Sequence, residues 1–294
     1  MAIAEVFEAY PALLILTALT VGLMVGSFLN VVIYRLPVMM EREWTHECKL
    51  LLDIDQDQTD NQKADTFNLA VPNSHCPNCN APVKAWQNIP VISYLLLKGR
   101  CANCQTTISV RYPIIETITG LLSAYAVWHF GFTTQALLAL LFTWCLITLT
   151  MIDADHKLLP DQITLPLLWL GILAGLFNQF VSIEDAVWGA IAGYLSLWSV
   201  YWAFKLLTGK EGMGYGDFKL LAALGTWMGW QTLPVIIILS SLVGAIIGII
   251  ILKVSKQGKD TALPFGPYLA IAGWVAFFWG DQLIASYLSF ANIS

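Results

Sequence analysis

Charge is what this chain has least of. Asp, Glu, Lys and Arg make up 12% of its 294 residues, where a soluble globular domain carries about a quarter. Apolar side chains make up 57% and the mean hydropathy is +0.66. A water-soluble enzyme or binding module is thereby excluded, a polytopic membrane protein remains, and no nucleic-acid partner is expected. Met1 to Tyr10 carries Glu5 and Glu8 and no basic residue, so no cleavable signal peptide is expected and the first span should be retained. No glycine fingerprint of the dinucleotide-binding kind occurs, so any nucleotide-like cofactor must be held by another construction. Cysteine is sparse, with six in all, and four of them fall in two close pairs.

What the chain does have is apolar length. A first run from about Ala12 to Ile33 can cross ~30 Å of hydrocarbon at ~1.5 Å per residue. Seven more follow Pro113, at Ile114 to Phe132, Ala136 to Ile152, Ile163 to Phe180, Val187 to Phe204, Phe218 to Trp230, Val235 to Leu252 and Phe265 to about Leu283. The expected fold is therefore all-α with about eight transmembrane helices. Its divisions are a first span at 12–34, a polar cytoplasmic domain at 35–112 and a seven-span membrane domain at 113–294. Inside the polar domain, Asp53 to Asp60 is acidic and aperiodic and reads as a mobile insert.

Orientation follows from the cations. With the amino terminus outside, the inward connections are 35–112, 153–162, 205–219 and 253–263, and they hold all fifteen Lys and Arg. The outward ones hold only Glu5, Glu8, Glu184, Asp185 and Asp281. Both termini are thus expected on the side away from the cytoplasm.

Two constellations carry chemistry. Cys76-Pro77-Asn78-Cys79 and Cys101-Ala102-Asn103-Cys104 have the spacing of a paired-knuckle zinc site. In the reducing cytoplasm disulfides are disfavoured, and four thiolates close a tetrahedron, so the zinc is expected to be structural. Cys48, Cys145, His129 and His156 are given no ligand role. The second constellation is acidic. Asp153 closes the third run and Asp217 opens the sixth, within Gly214-Tyr215-Gly216-Asp217, and both lie on the cytoplasmic side of the expected topology. Acids at the edge of hydrocarbon mark function. Two brought together would share a proton and activate a water, with Asp217, at a helix start, leaning towards the ionised member. Asp155 and Asp161 read as interfacial loop acids. Trp188, Trp198, Trp202, Trp227 and Trp230 read mostly as an interfacial belt. Gly189-x-x-x-Gly193 and Gly225-x-x-x-Gly229 read as close helix contacts.

These residues resemble the bacterial type IV prepilin peptidases, members of the Gly-x-Gly-Asp group of membrane aspartic proteases, over nearly the whole length. The likeness rests on Gly26-Ser27-Phe28-Leu29-Asn30 running to Pro37, the two Cys pairs, Ser109-Val110-Arg111-Tyr112-Pro113 running to Glu116, Ile152-Asp153-Ala154-Asp155 running to Asp161, Gly214 to Asp217, and Pro264-Phe265-Gly266-Pro267. The resemblance implies that Asp153 and Asp217 are catalytic and that the substrates are prepilins and pseudopilins. It also implies that the leader is cut on the cytoplasmic side of the bacterial inner membrane and that the new amino terminus is methylated with S-adenosylmethionine. The methyl-donor site stays unplaced. Glu116, just inside a span, is a candidate for contacting a cationic amine or else for pairing with an arginine. The competing reading is a transporter with a zinc-stabilised cap, its two aspartates serving as ion sites; the absence of an inverted repeat of broken spans counts against it.

Overall fold

The computed structural model describes residues 3–52, 67–255 and 264–290. The acidic stretch after Asp53 lies outside them. Within them the chain is helical, and the only β pairing consists of isolated bridges, His75 with Pro82 and Arg100 with Thr107. Each of the eight apolar runs forms a helix. After a short α1 (Ile3–Ala9) come α2 (Pro11–Leu51), the five-residue α3 (Ile92–Leu96), α4 (Arg111–Phe130), α5 (Thr134–His156) and α6 (Asp161–Leu176). The chain continues with α7 (Ile183–Thr208), α8 (Tyr215–Met228), α9 (Leu233–Ser255) and α10 (Gly266–Phe290). Five helical segments among the described residues are long and apolar enough to cross a membrane, in α2, α5, α7, α9 and α10.

The chain divides into two compact units, Met1–Phe132 and Thr133–Ser294. In the first, α2 does not stop where the apolar run ends. It continues through Pro37 to Leu51, so the span expected at 12–34 is the first part of a 41-residue helix. Gly22, Gly26 and Gly120 seat α2 on α4: a Cβ added at Gly22 would lie 2.6 Å from Ser123 Oγ, and one at Gly26 2.7 Å from Glu116 Cα.

In the second unit α8 is the core. Every residue from Asp217 to Met228 except Lys219 is buried, which is why this 14-residue helix needs no polar face. Gly189 of α7 meets Gly225 of α8 so closely that a Cβ on the first would stand 2.1 Å from the carbonyl oxygen of the second. Gly193 fits against Leu221 in the same way. Gly229 departs from the packing expected of it: it ends α8 in a positive-φ conformation (φ 78°), where glycine is favoured. Trp227 departs from the interfacial belt as well. It is 1% exposed and its indole N–H donates to the Leu167 carbonyl at 2.9 Å, so it is a core residue of the helix-to-helix contact.

Candidate active site

Asp153 lies in the last turn of α5, directly after the fully buried Ile152. Lys157 closes that helix in the left-handed conformation, its N–H donating to the Asp153 carbonyl at 2.9 Å. The chain then turns through Leu159 and Pro160 into α6. Asp217 is the third residue of α8, behind an extended Gly214 (φ −83°, ψ 150°). Its own N–H reaches the Gly214 carbonyl at 3.3 Å, while the Gly214 amide is directed at its carboxylate. Across the site, α10 begins at Gly266, and the Gly266 amide is directed at the Asp153 carboxylate. Withdrawal from solvent disfavours charge on both acids, and a helix-start amide facing each one offsets part of that cost.

Both acids are withdrawn from solvent, Asp153 at 5% and Asp217 at 7% exposure, and the charge of Asp153 acts directly on Asp217. Leu159 is the wedge between their glycines. Its Cδ1 lies 3.2 Å from where a Cβ on Gly216 would be and 3.2 Å from where one on Gly266 would be. A Cβ on Gly266 would also stand 2.6 Å from Asp153 Oδ2, so the Gly266 backbone is pressed against the carboxylate. That same Oδ2 is, among the described residues, the one buried side-chain nitrogen or oxygen with no hydrogen-bond partner. A buried polar atom left in this state is rare and demands a reason. An acid oxygen held bare beside a second acid is ready to meet a water or a carbonyl group.

The other acids of this region are placed differently. Asp161 opens α6 and accepts from Lys219 Nζ at 2.8 and 2.7 Å, which ties the start of α6 to the start of α8. Asp155 is exposed. On the approach to Gly214, Glu211 is paired with Lys205 at 2.7 Å, and that ammonium holds its carboxyl below the usual range. Tyr215 remains 48% exposed, with its ring 5.3 Å from Tyr201 and 5.4 Å from Phe218. The Lys219 and Lys205 pairs were not foreseeable from spacing, since their partners lie across turns of unknown shape.

In the first unit the four cysteines converge: the Sγ atoms of Cys76, Cys79, Cys101 and Cys104 lie within 4.8 Å of one another. Each pair is a tight knuckle. Asn80 N–H donates to Cys76 O and Gln105 N–H to Cys101 O, with both donors at positive φ. Cys76 and Cys104 sulfurs are 3.7 Å apart, close to the ~3.8 Å edge of a tetrahedron with metal–sulfur bonds of ~2.3 Å. The donor set therefore fits a metal ion. Thr106, through its hydroxyl and its amide, and then Asn78 draw the Cys104 thiol down to about 5. The cross-bracing was missed from sequence although a signal existed, because Asn stands third in both pairs. Asn78 Nδ2 donates to Cys104 Sγ at 3.7 Å and Asn103 Nδ2 to Cys79 Sγ at 3.5 Å, each reaching the other knuckle.

Glu116, also in this unit, accepts the Val91 N–H at 2.7 Å and interacts with Ser27. Arginine is not among the partners found for it. Arg35, itself buried, instead donates to the carbonyls of Asn68, Leu69 and Pro72 at 2.9, 3.4 and 2.6 Å.

Such a molecule is a polytopic helical membrane protein with a pair of withdrawn acids in one unit and a metal-competent thiol cluster in the other. The chain belongs to the type IV leader peptidase family: residues 140–249 match that family, and residues 20–130 match the bacterial peptidase A24 N-terminal domain. It is 56% identical to the prepilin leader peptidase/N-methyltransferase of Stutzerimonas stutzeri, over 98% of this chain and 99% of that one. The protein of the same name from Pseudomonas aeruginosa is 55% identical over 99% of both chains. The one from Neisseria gonorrhoeae is 53% identical over 90% of this chain and 91% of its own. No solved structure matches.

Proposed function

We propose that this protein is a prepilin leader peptidase and N-methyltransferase of the bacterial inner membrane, in which Asp153 and Asp217 form the proteolytic pair. The observation that carries the reading is the bare Asp153 Oδ2 beside a second buried acid. Two like charges in a low dielectric are disfavoured, so the pair holds one proton near neutral pH. The ionised carboxylate takes a proton from water as the water oxygen attacks the scissile carbonyl. The protonated partner stabilises the oxyanion by hydrogen bonding, and the amine departs with a proton from the pair. Gly216 is closed by Leu159, whereas at Gly214 a Cβ would meet nothing nearer than Asp217 Oδ2 at 4.0 Å, so an extended strand can approach Asp217 on the Gly214 side. The transporter reading has no support from the relatives, which carry peptidase names.

Zinc at Cys76, Cys79, Cys101 and Cys104 folds the cysteine-bearing domain and takes no part in the chemistry. The domain division is the one drawn from the sequence, with 35–112 cytoplasmic, 113–294 carrying the protease site and both termini periplasmic. S-adenosylmethionine, when bound, supplies an electrophilic methyl group. Incubating the purified protein with a prepilin and labelled S-adenosylmethionine tests the whole reading: a leader-sized mass loss and label on the new amino terminus are expected. An intact prepilin after prolonged incubation with folded, zinc-loaded protein overturns it.

A further inference from the structure

We propose that residues 85–97 form a re-entrant loop seated in the bilayer, with Pro90 and Val91 at its deepest point and Ile89, Ile92, Leu95 and Leu96 facing lipid. The segment belongs to the cysteine-bearing stretch, yet Ala85 to Leu97 holds no charged residue, while Lys84 stands before it and Lys98 and Arg100 after it. Its large side chains are open: Ile92 is 56% exposed, Leu95 67% and Leu96 70%. At i, i+3 and i+4 they share one face of α3.

Depth is set by hydrogen bonds to α4 and to the strand of chain before it. Helix α4 has 20 residues, about 30 Å long, and packs through Glu116, Gly120 and Ser123 on Gly22 and Gly26 of α2, whose apolar part is long enough to cross the membrane. Val91 N–H donates to Glu116, five residues into that helix. Allowing for the backward tilt of a helical side chain, this puts the apex on the order of 5 Å below the helix start. The return limb climbs out again. Tyr94 Oη donates to the Ile108 carbonyl at 3.4 Å and Ile108 N–H to the Gly99 carbonyl at 2.8 Å, just before α4 begins.

The backbone at the apex is arranged for a place without water. Pro90 has no N–H to satisfy. Ile89 N–H donates to Trp86 O, Val91 to Glu116, Ile92 to Pro90 O at 2.5 Å and Ser93 to Ile89 O. A turn in water has no need of such closure, whereas in hydrocarbon every unpaired amide is costly. The Ile92 bond closes a γ-turn around Val91 (φ 59°, ψ −49°), a strained conformation for a β-branched residue. Glu116 holds it in place. Trp86 and the flanking cations then fall at headgroup level, where an indole and positive charge are stable. Buried Glu116 is thereby given a task, seating the loop.

The test is depth-dependent quenching in the full chain, Cys48→Ser and Cys145→Ala, with zinc bound and reconstituted in vesicles of phosphatidylethanolamine and phosphatidylglycerol. An environment-sensitive fluorophore is placed at Leu96→Cys, with Leu95→Cys as a second vantage and exposed Ala70→Cys as reference. Lipids spin-labelled high on the acyl chain should quench positions 95 and 96 at least twofold more than position 70, and iodide should do the reverse. Iodide reaching 95 and 96 as freely as 70 overturns the proposal. Shielding from both quenchers overturns it too, because protein then covers the face. So does shielding that arises only on adding a prepilin, which makes the face a substrate surface.

Discussion

Replacing Gly266 by alanine perturbs the acid pair without touching either acid. The new Cβ would stand 2.6 Å from Asp153 Oδ2 and 3.0 Å from its Cγ, about 0.8 Å short of ordinary contact at ~3.4 Å for such atoms. Leu159 Cδ1 at 3.2 Å closes the other side, so the carboxylate must give way. The backbone is not the obstacle: Gly266 is an early residue of α10 outside the positive-φ region, where alanine is a better helix former than glycine. A displacement approaching 1 Å at a reacting group lowers rates by about 10²-fold, or about 2.7 kcal/mol of barrier. Gly266→Ala should therefore lower kcat for leader removal roughly 10- to 100-fold while KM, zinc content and thermal midpoint in detergent hold. Cleavage at the parental rate by this variant would refute the claim that Asp153 is held in place by the start of α10.

Gly189→Val is expected to act on stability instead. Its side chain would meet the Gly225 backbone, which cannot yield without parting α7 from α8, so a loss on the order of 3 kcal/mol should appear as a lower thermal midpoint and poor yield. A midpoint equal to the parent's would contradict the packing. For the cysteine cluster, elemental analysis should find about one zinc per chain in the parent and little in Cys76→Ser, with the 67–110 region newly open to limited proteolysis. Active protein containing well under one zinc would sink the structural-metal reading.

Much of this arrangement was legible in the sequence, for physical reasons particular to each part. The apolar runs became helices because hydrocarbon tolerates little else. The two Cys-x-x-Cys pairs carried their geometry in their spacing. Asp153 and Asp217 stood out because carboxylates at the ends of apolar segments are expensive. What stayed hidden depends on neighbours distant in sequence. The first span was expected to end at residue 34, yet α2 runs on through Pro37 to Leu51. Arg35 counted as one more inward cation, whereas its guanidinium collects three carbonyls of the 68–72 segment. Gly266 was noted only within a familial signature. Its part, a helix start laid against Asp153, needs the α5–α10 contact to be seen. Glu116 invited a cationic partner and found a strained amide 25 residues away.

The most direct measurement is leader removal by Asp153→Asn and Asp217→Asn, read as mass loss from a full-length prepilin in detergent or liposomes. Each asparagine keeps the size of the side chain and removes its capacity to exchange a proton with water. Both variants should fold, bind zinc and insert as the parent does, yet leave the prepilin intact. Asp185→Asn, whose carboxylate serves Ser182 and Gln231 at the start of α7, should cleave at close to the parental rate. Substantial cleavage by a well-folded Asp153→Asn or Asp217→Asn protein would contradict the pair and shift the chemistry to Asp155 or Asp161.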